Sequence, residues 1–357
     1  MPALQKALLL EQKGGPLVLK DVQVPQPGPG RILVRIEATA LNPADWKIQM
    51  YGILVPKYPA VLGFDAAGTV VEVGDAVDEY VVGDRVLLQG FWDDPSDPVD
   101  PGYRGTFQQY IATPLANVSK YPSHLSFEEA ATVPSGLATA AFALYNQATS
   151  DSSAGLTPPW EEGGRGKYAG KPILILGGAT SVGQYVIPLA RMSGFSPIVV
   201  TASLHNSGLL KSLGATHVLD RGLPEEALSE QAKQIAGGYF DIVYDAVSVS
   251  DTLEVGYRVT APSGHFVVVL PNPIPGAEEG SQKKVHKALG LINTPANQAV
   301  AQSLLSKLPQ LLESGDIKPN RPEVLSGGLL GIPAGLERLR NNQVSGAKLV
   351  VKPRETA

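Results

Sequence analysis

The stretch ILILGGATSVG at residues 173–183, continued by QYVIPLARMSG at 184–194, decides the fold. A short apolar run opens into a turn of small residues, and the turn opens into a helix-like segment. This is the layout of a dinucleotide-binding turn. The strand delivers the backbone, small residues let it approach a pyrophosphate, and the helix start offers N–H groups and a positive dipole end. Gly178, Ala179, Thr180, Ser181 and Val182 are the candidate contacts. The spacing departs from G-x-G-x-x-G, since Thr180 and Ser181 stand where a further glycine is common. An ordinary strand-to-helix connection uses the same kinds of residue.

Working outward, PIVVTA at 197–202 reads as the second strand of a βαβ unit, followed by Ser203, His205 and Asn206. An acidic residue near this strand end binds the ribose 2′-hydroxyl in NAD-preferring proteins. No Asp or Glu occurs from residue 198 to 211. Hydroxyl, amide and imidazole groups can bond a 2′-phosphate that a carboxylate would repel. The expected cofactor is therefore NADPH rather than NADH. Ser203 and Asn206 also suit a polar turn and helix cap, and the two roles are compatible.

Alternating strand and helix patterns surround this unit, with strands at 173–176, 197–202, 217–219, 242–246 and 264–270. Such alternation implies a doubly wound parallel sheet. The first 125 residues differ. Short β-prone runs at 17–24, 31–39, 67–73, 85–89 and 105–113 alternate with turn signals such as PQPGPG and VGD, which implies a small barrel or sandwich. SFEE at 126–129 is a capping-box pattern, and Pro134 splits the following segment into two helices. Residues 148–171 are rich in Gly, Pro and Ser and read as a long surface loop. An amphipathic helix at 299–314 and a terminal strand, KLVV at 348–351, complete the chain; the strand is expected to rejoin the N-terminal β-rich region.

Composition narrows the chemistry. The 357 residues suggest two domains, and 43% hydrophobic content supports a sizeable core. A net charge of −5 without a basic block gives no footprint for nucleic acid. The chain has no cysteine, which removes disulfides, thiolate nucleophiles and cysteine-ligated zinc together. Its five histidines show no metal-ligand spacing, so no metal site is expected. No apolar stretch reaches the ~20 residues of a membrane helix, and the N-terminal stretch is too weakly apolar for a signal peptide, so a soluble cytoplasmic protein is expected.

Together with the turn, the landmarks NPAD at 42–45, GFDAAGTV at 63–70, VGDRV at 82–86, GTF at 105–107 and VSGAKLVV at 344–351 carry a specific resemblance. The chain resembles the zinc-independent quinone oxidoreductase and enoyl reductase branch of the medium-chain dehydrogenase/reductase superfamily, through nearly its whole length. The loop before the cofactor strand looks like that of fungal members, including trans-acting enoyl reductases that serve polyketide synthases. The resemblance implies an α/β fold with a GroES-like β-rich catalytic domain (1–127 and 310–357) and a Rossmann doubly wound parallel-sheet cofactor domain (128–309). Zinc alcohol dehydrogenases place a metal-binding cysteine where Asn42 stands and a His-Glu pair where Phe64 and Asp65 stand.

What the resemblance implies for function is an NADPH-dependent reductase of activated carbon–carbon double bonds. Hydride would reach the β-carbon of an α,β-unsaturated carbonyl, and the enolate would then be protonated. A quinone reductase, a trans-acting partner taking chains from an acyl carrier protein, and a non-catalytic crystallin-like NADPH binder remain open. Cofactor contacts carried over are residues 180–182, Ser203, His205 and Asn206, with Arg221 where relatives often have tyrosine, and Val269 and Leu270 near the nicotinamide. Thr139 resembles the threonine that faces the carboxamide. Lys47, Asn42 and Tyr51 are the catalytic candidates, Tyr103 could also reach substrate, and Asp65 and Asp45 read as structural carboxylates. The Pro- and Gly-rich segment at 271–295 covers the edge through which relatives dimerise, which points to a monomer or weak homodimer.

Overall fold

The computed structural model describes residues 3–90 and 104–357. Two compact units emerge. Unit 1 comprises Met1–Ser135, Leu305–Glu313 and Pro319–Ala357; unit 2 comprises Gly136–Leu304 and Ser314–Lys318.

In chain order, unit 1 opens with β1 (Leu4–Leu10), β2 (Leu17–Gln23), β3 (Arg31–Ala40), α1 (Pro43–Tyr51), β4 (Ala60–Val61), β5 (Asp65–Val73), β6 (Arg85–Gln89), β7 (Tyr110–Pro114), β8 (Val118–Lys120) and α2 (Phe127–Ala131). The chain crosses into unit 2 within α3 (Pro134–Tyr145). There it forms β9 (Ile173–Leu176), α4 (Gly183–Ser193), β10 (Ile198–Ala202), α5 (Ser207–Leu213), β11 (His217–Asp220), α6 (Glu225–Ala236), β12 (Phe240–Asp245), α7 (Ser250–Val259), β13 (Thr260–Val268) and β14 (Lys284–Lys287). The long α8 (Gln298–Glu313) leads back to β15 (Pro322–Val324), α9 (Ile332–Arg340) and β16 (Lys348–Val351) of unit 1.

Unit 1 holds a three-stranded sheet, β2-β1-β4, and a seven-stranded sheet, β15-β16-β3-β5-β6-β8 with β7 paired to β3. Ile32, Val34 and Ile36 alternate along β3 and pack against Ala66, Val70, Val86 and Leu88 in a buried cluster. That period of two is what sets which face of β3 is core. The terminal strand β16 pairs antiparallel with β3 through Val350↔Ala40 and Val351↔Thr39, so it rejoins the N-terminal β-rich region as expected of a chain end.

Unit 2 is built on a six-stranded sheet in the order β11-β10-β9-β12-β13-β14, with every recorded pairing parallel. Numbered within the sheet this is 3-2-1-4-5-6, the doubly wound order with its switch point between β9 and β12. The GroES-like β unit and the Rossmann-like unit are thus both present.

Three expectations need adjustment. A sixth strand, β14, forms inside the segment read as Pro- and Gly-rich, because KVHK finds a partner along β13. The fifth strand ends at Val268, so Val269 and Leu270 lie just beyond its C-terminal end. Residues 148–171 contain no helix or strand, yet they are not simply a surface loop. Trp160 is buried, meets Tyr145 edge-on at 5.3 Å and donates from Nε1 to Ser303 Oγ at 2.9 Å. Tyr168 stacks on Phe195 at 5.1 Å. Two aromatic anchors offset the chain entropy that the glycines of this segment leave to be lost. Among the described residues no helix is long and apolar enough to cross a membrane.

Candidate functional site

The turn after β9 is shaped by what glycine permits. Gly177 has φ +77°, and a Cβ there would stand 2.3 Å from Val247 Cγ2. A Cβ on Gly183 would meet the Gly177 carbonyl oxygen at 2.4 Å, so the first residue of α4 must lack a side chain for the helix to start this close to the turn. Thr201 at the end of β10 fixes the other side: its hydroxyl and carbonyl oxygens accept from the N–H groups of Gly177 at 3.0 Å and Gly178 at 2.9 Å. Thr180 Oγ1 accepts from Gly183 N–H at 3.0 Å, which leaves the hydroxyl proton able to donate outward. Ala179, Thr180, Ser181 and Val182 are half-buried, whereas Gly178 is buried against Val200. This cradle, at the start of an eleven-residue helix, fits the pyrophosphate of a nicotinamide dinucleotide.

Sheet register brings the residues that follow β10 beside those that follow β11. Ala202 pairs with Asp220, and Arg221 N–H donates to the Ala202 carbonyl at 3.0 Å, so Arg221 stands beside Ser203 at neighbouring strand ends. Ser203 is half-buried and His205 and Arg221 are exposed. Asn206 is buried, with its amide nitrogen 3.2 Å from His205 Nε2. No carboxylate side chain lies on the segment from Ser203 to Lys211.

At the other side of the switch point, Asp245 ends β12, fully buried. One carboxylate oxygen accepts from Val247 N–H at 2.9 Å and Ser248 N–H at 2.8 Å. Burial nevertheless pushes its pKa up to about 6. Ser248, held at φ +60°, accepts on its hydroxyl from Val269 N–H at 2.9 Å, and its carbonyl takes the Asn272 amide at 2.8 Å. Val269 and Leu270 are half-buried there. Thr139 is half-buried on α3; its carbonyl accepts from the Tyr244 hydroxyl at 3.0 Å, and its own hydroxyl crowds Gly290.

In unit 1 the NPAD run forms the start of α1, with Pro43 in the first turn. Asn42 backbone N–H donates to Asp45 Oδ2 at 2.8 Å. The Asn42 amide nitrogen donates to Asp65 Oδ2 at 2.9 Å, Lys348 Nζ donates to the same oxygen at 2.6 Å, and Ser135 N–H donates to Asp65 Oδ1 at 2.7 Å. Asp45 is fully buried, its Oδ1 has no hydrogen-bond partner, and burial pushes its pKa up to about 8. Lys47 is half-buried with its ammonium 5.5 Å from the Trp46 ring centroid, and loss of hydration lowers its pKa. Tyr51 is exposed at the end of the same helix. Tyr103 lies outside the described residues.

The structure thus brings Lys47 and Tyr51 onto one helix of unit 1 with Asn42 at its N-cap, while Thr139 and the cofactor candidates belong to unit 2. Lys348, Asp245 and Ser248 were missed in the sequence. Asp245 had a faint signal, an acid closing an apolar strand run; Lys348 opens a strand and reads as an exposed charge. The histidines also pair through the sheet rather than by spacing: His265 Nδ1 lies 2.9 Å from His286 Nε2. Among the described residues no group of three or more His, Asp or Glu is arranged to hold a metal ion. The donor set at Asn42, Phe64 and Asp65 does not fit zinc, since Lys348 already occupies the carboxylate.

Comparison with known proteins agrees with this architecture. Residues 28–123 match the alcohol dehydrogenase GroES-like domain family, and residues 181–277 match the zinc-binding dehydrogenase family. A trans-enoyl reductase of Pyricularia oryzae is 31% identical over 98% of this chain and 99% of its own. A dehydrogenase of Emericella nidulans is 31% identical over 98% of this chain and 99% of its own. The solved quinone oxidoreductase of Pseudomonas syringae superposes with a TM-score of 0.78 over 98% of this chain and all (100%) of its own; at 24% identity it speaks for the fold alone. With both halves matched and whole-length relatives above 30% identity, the chain belongs to the medium-chain dehydrogenase/reductase family of oxidoreductases, as an enoyl reductase-like member.

Proposed function

We propose that this chain is an NADPH-dependent reductase of activated carbon–carbon double bonds, working without a metal in the cytoplasm. The observation that carries the cofactor choice is the end of β10. Ser203 and His205 follow β10 with no carboxylate on the segment from 203 to 211, and Arg221 stands beside Ser203, a set that can bond a 2′-phosphate; the neighbouring Asp220 carboxylate accepts from Gly222 N–H at 2.9 Å. The reaction class rests on the enoyl reductase-like relatives and on the NPAD helix.

When bound, the nicotinamide supplies a hydride to the β-carbon of an enal, enone or enoyl thioester. The chain's own residues do the rest. The α4 N-terminus with Thr180 and Ser181 holds the pyrophosphate, and Val269 and Leu270 bound the ring pocket. Negative charge grows on the substrate carbonyl oxygen as the enolate forms. Asn42 and Lys47 are the groups assigned to that oxygen, since a fixed donor there acts on the charge that develops in the transition state. Lys47, with its pKa lowered by burial, can also return a proton to the α-carbon. Tyr51 flanks the substrate.

A trans-acting role on carrier-bound acyl chains is favoured over action on free quinones, because the fungal trans-enoyl reductase matches the whole length. The test is a titration of apo-protein with NADPH and NADH beside turnover on enal, enone, enoyl thioester and quinone panels, free and carrier-linked. Tighter NADPH binding with consumption of a conjugated substrate is the expected result. No consumption across the panels would refute the reductase reading, and no binding of either nucleotide would refute the cofactor reading as well.

A further inference from the structure

The zinc-dependent relatives hold a metal among the residues that match Asn42, Phe64 and Asp65, and here those residues are organised by something else. The Asp65 carboxylate is fully buried, and the Lys348 side chain is 2% exposed, with Nζ 2.6 Å from Oδ2. A pair this deeply buried gives back in Coulomb energy roughly what it loses in hydration, so stability alone does not explain it. Its geometry does. The antiparallel register places Asp65 opposite Ala40 of β3 and Gln89 of β6, and β16 runs beside the end of β3. Lys348 therefore enters from one flank, Ser135 N–H from another, and the Asn42 amide from a third. The main chain of Asp65 is tied as well, its carbonyl accepting from Thr39 Oγ1 at 2.8 Å.

Asn42 is consequently held twice, through its backbone N–H by Asp45 and through its amide by Asp65. One Nδ2 hydrogen is used by Asp65, and the same nitrogen carries a second. We propose that Lys348 and Asp65 are positioning residues, a buried cation–carboxylate pair that stands in place of the metal and fixes Asn42 and the start of α1 for the substrate carbonyl. The pair supplies fixed geometry, and the charge neutrality of the pair keeps the buried carboxylate from distorting the site. This assignment rests on the reductase reading for its catalytic half and on structure alone for its positioning half.

The experiment uses the full chain with Asp65→Asn combined with Lys348→Met, which removes both charges together. Lys348→Met alone leaves an uncompensated buried carboxylate and serves as the unfolding control. Expected for the double variant are a melting temperature near wild type, NADPH affinity within twofold, kcat at least tenfold lower with KM little changed, and amide hydrogen exchange at least tenfold faster at residues 42–51. Wild-type kcat, or unchanged exchange in α1, would overturn the proposal. A wild type without turnover would refute the reductase reading, and the exchange result would then decide positioning by itself. Should the double variant fail to fold, Lys348→Arg carries the test, because it keeps the charge and changes the geometry; a tenfold loss of kcat at unchanged melting temperature supports the proposal, and wild-type kcat overturns it.

Discussion

Lys47 stands half-buried on α1 beside Trp46, and the loss of water around its ammonium weakens its hold on the proton. If it stabilises the enolate and returns the proton, Lys47→Ala should lower kcat by about 100-fold while NADPH binding stays constant. Steady-state kinetics on the best substrate of the panel checks this, and unchanged turnover would leave the proton to solvent. Asp45 makes a different statement. Its folded-state pKa of about 8 lies above the unfolded value of 3.8, so the folded protein keeps a proton the unfolded chain gives up. Its contribution to stability is present in full below about pH 4 and is lost as pH rises through about 8. Asp45→Asn should therefore raise the melting temperature more at pH 8 than at pH 5, by a few degrees for each kcal/mol regained, roughly 2–4 °C. Differential scanning at the two pH values decides it. Asp45 was legible in the sequence as an organiser of its loop and Asp65 as a buried structural carboxylate; Asp45 accepts from Asn42 N–H, and Asp65, at the start of β5, accepts from the Asn42 amide. Lys348 was not legible, because a lysine beginning a strand looks solvated until the sheet register carries it to a buried acid 283 positions away.

Among elements, the β9–turn–α4 unit was the most legible. An apolar run opening into small residues and then a helix-like segment was readable from residue type, and a Cβ on Gly183 would strike backbone while one on Gly177 would strike the Val247 side chain. Parallel register sets Ser203, after β10, beside Arg221, after β11. Ser203→Asp should weaken NADPH binding by about 100-fold through like-charge repulsion and favour NADH; isothermal titration with both nucleotides tests it, and an unaltered preference would move the 2′-phosphate elsewhere. The edge strand β14 was hidden by its Pro- and Gly-rich flanks, since a four-residue strand declares itself mainly through its partner. That pairing also made the histidine pair. His286 Nδ1–H donates to the Ser150 carbonyl at 2.6 Å, so its Nε2 accepts from His265. Burial first, then His286 and Lys284, push His265 down to about 4, against a pull from Asp241. A depressed histidine contributes stability that is present above about pH 6.5 and lost as pH falls through about 4. The melting temperature should drop between pH 7 and pH 5, and His265→Phe should flatten that slope; an equally steep slope in the variant would assign it to other groups.

For the molecule as a whole, the doubly wound order and the β-rich unit were both legible, because alternation of strand and helix in one part and closely spaced strands in another are statistical over many residues. The small sheet of β1, β2 and β4 was less so, as β4 spans just two residues. Strand β14 ends the six-stranded sheet. Lys284 and Lys287 are exposed there, and charged residues on an edge strand oppose pairing with a second copy. Multi-angle light scattering should accordingly return the mass of one chain at micromolar concentration, and a stable dimer would show that another face outweighs those lysines.

Trp160, lodged against Tyr145, gives the molecule an optical signature. The sequence carries three tryptophans, at 46, 92 and 160, and Trp160 alone belongs to unit 2. An indole removed from water emits at shorter wavelength than a hydrated one, so a protein with phenylalanine at positions 46 and 92 would shine from one half of the chain. Followed through a denaturant ramp beside far-ultraviolet dichroism, that emission would tell whether the halves melt as one cooperative block or in succession.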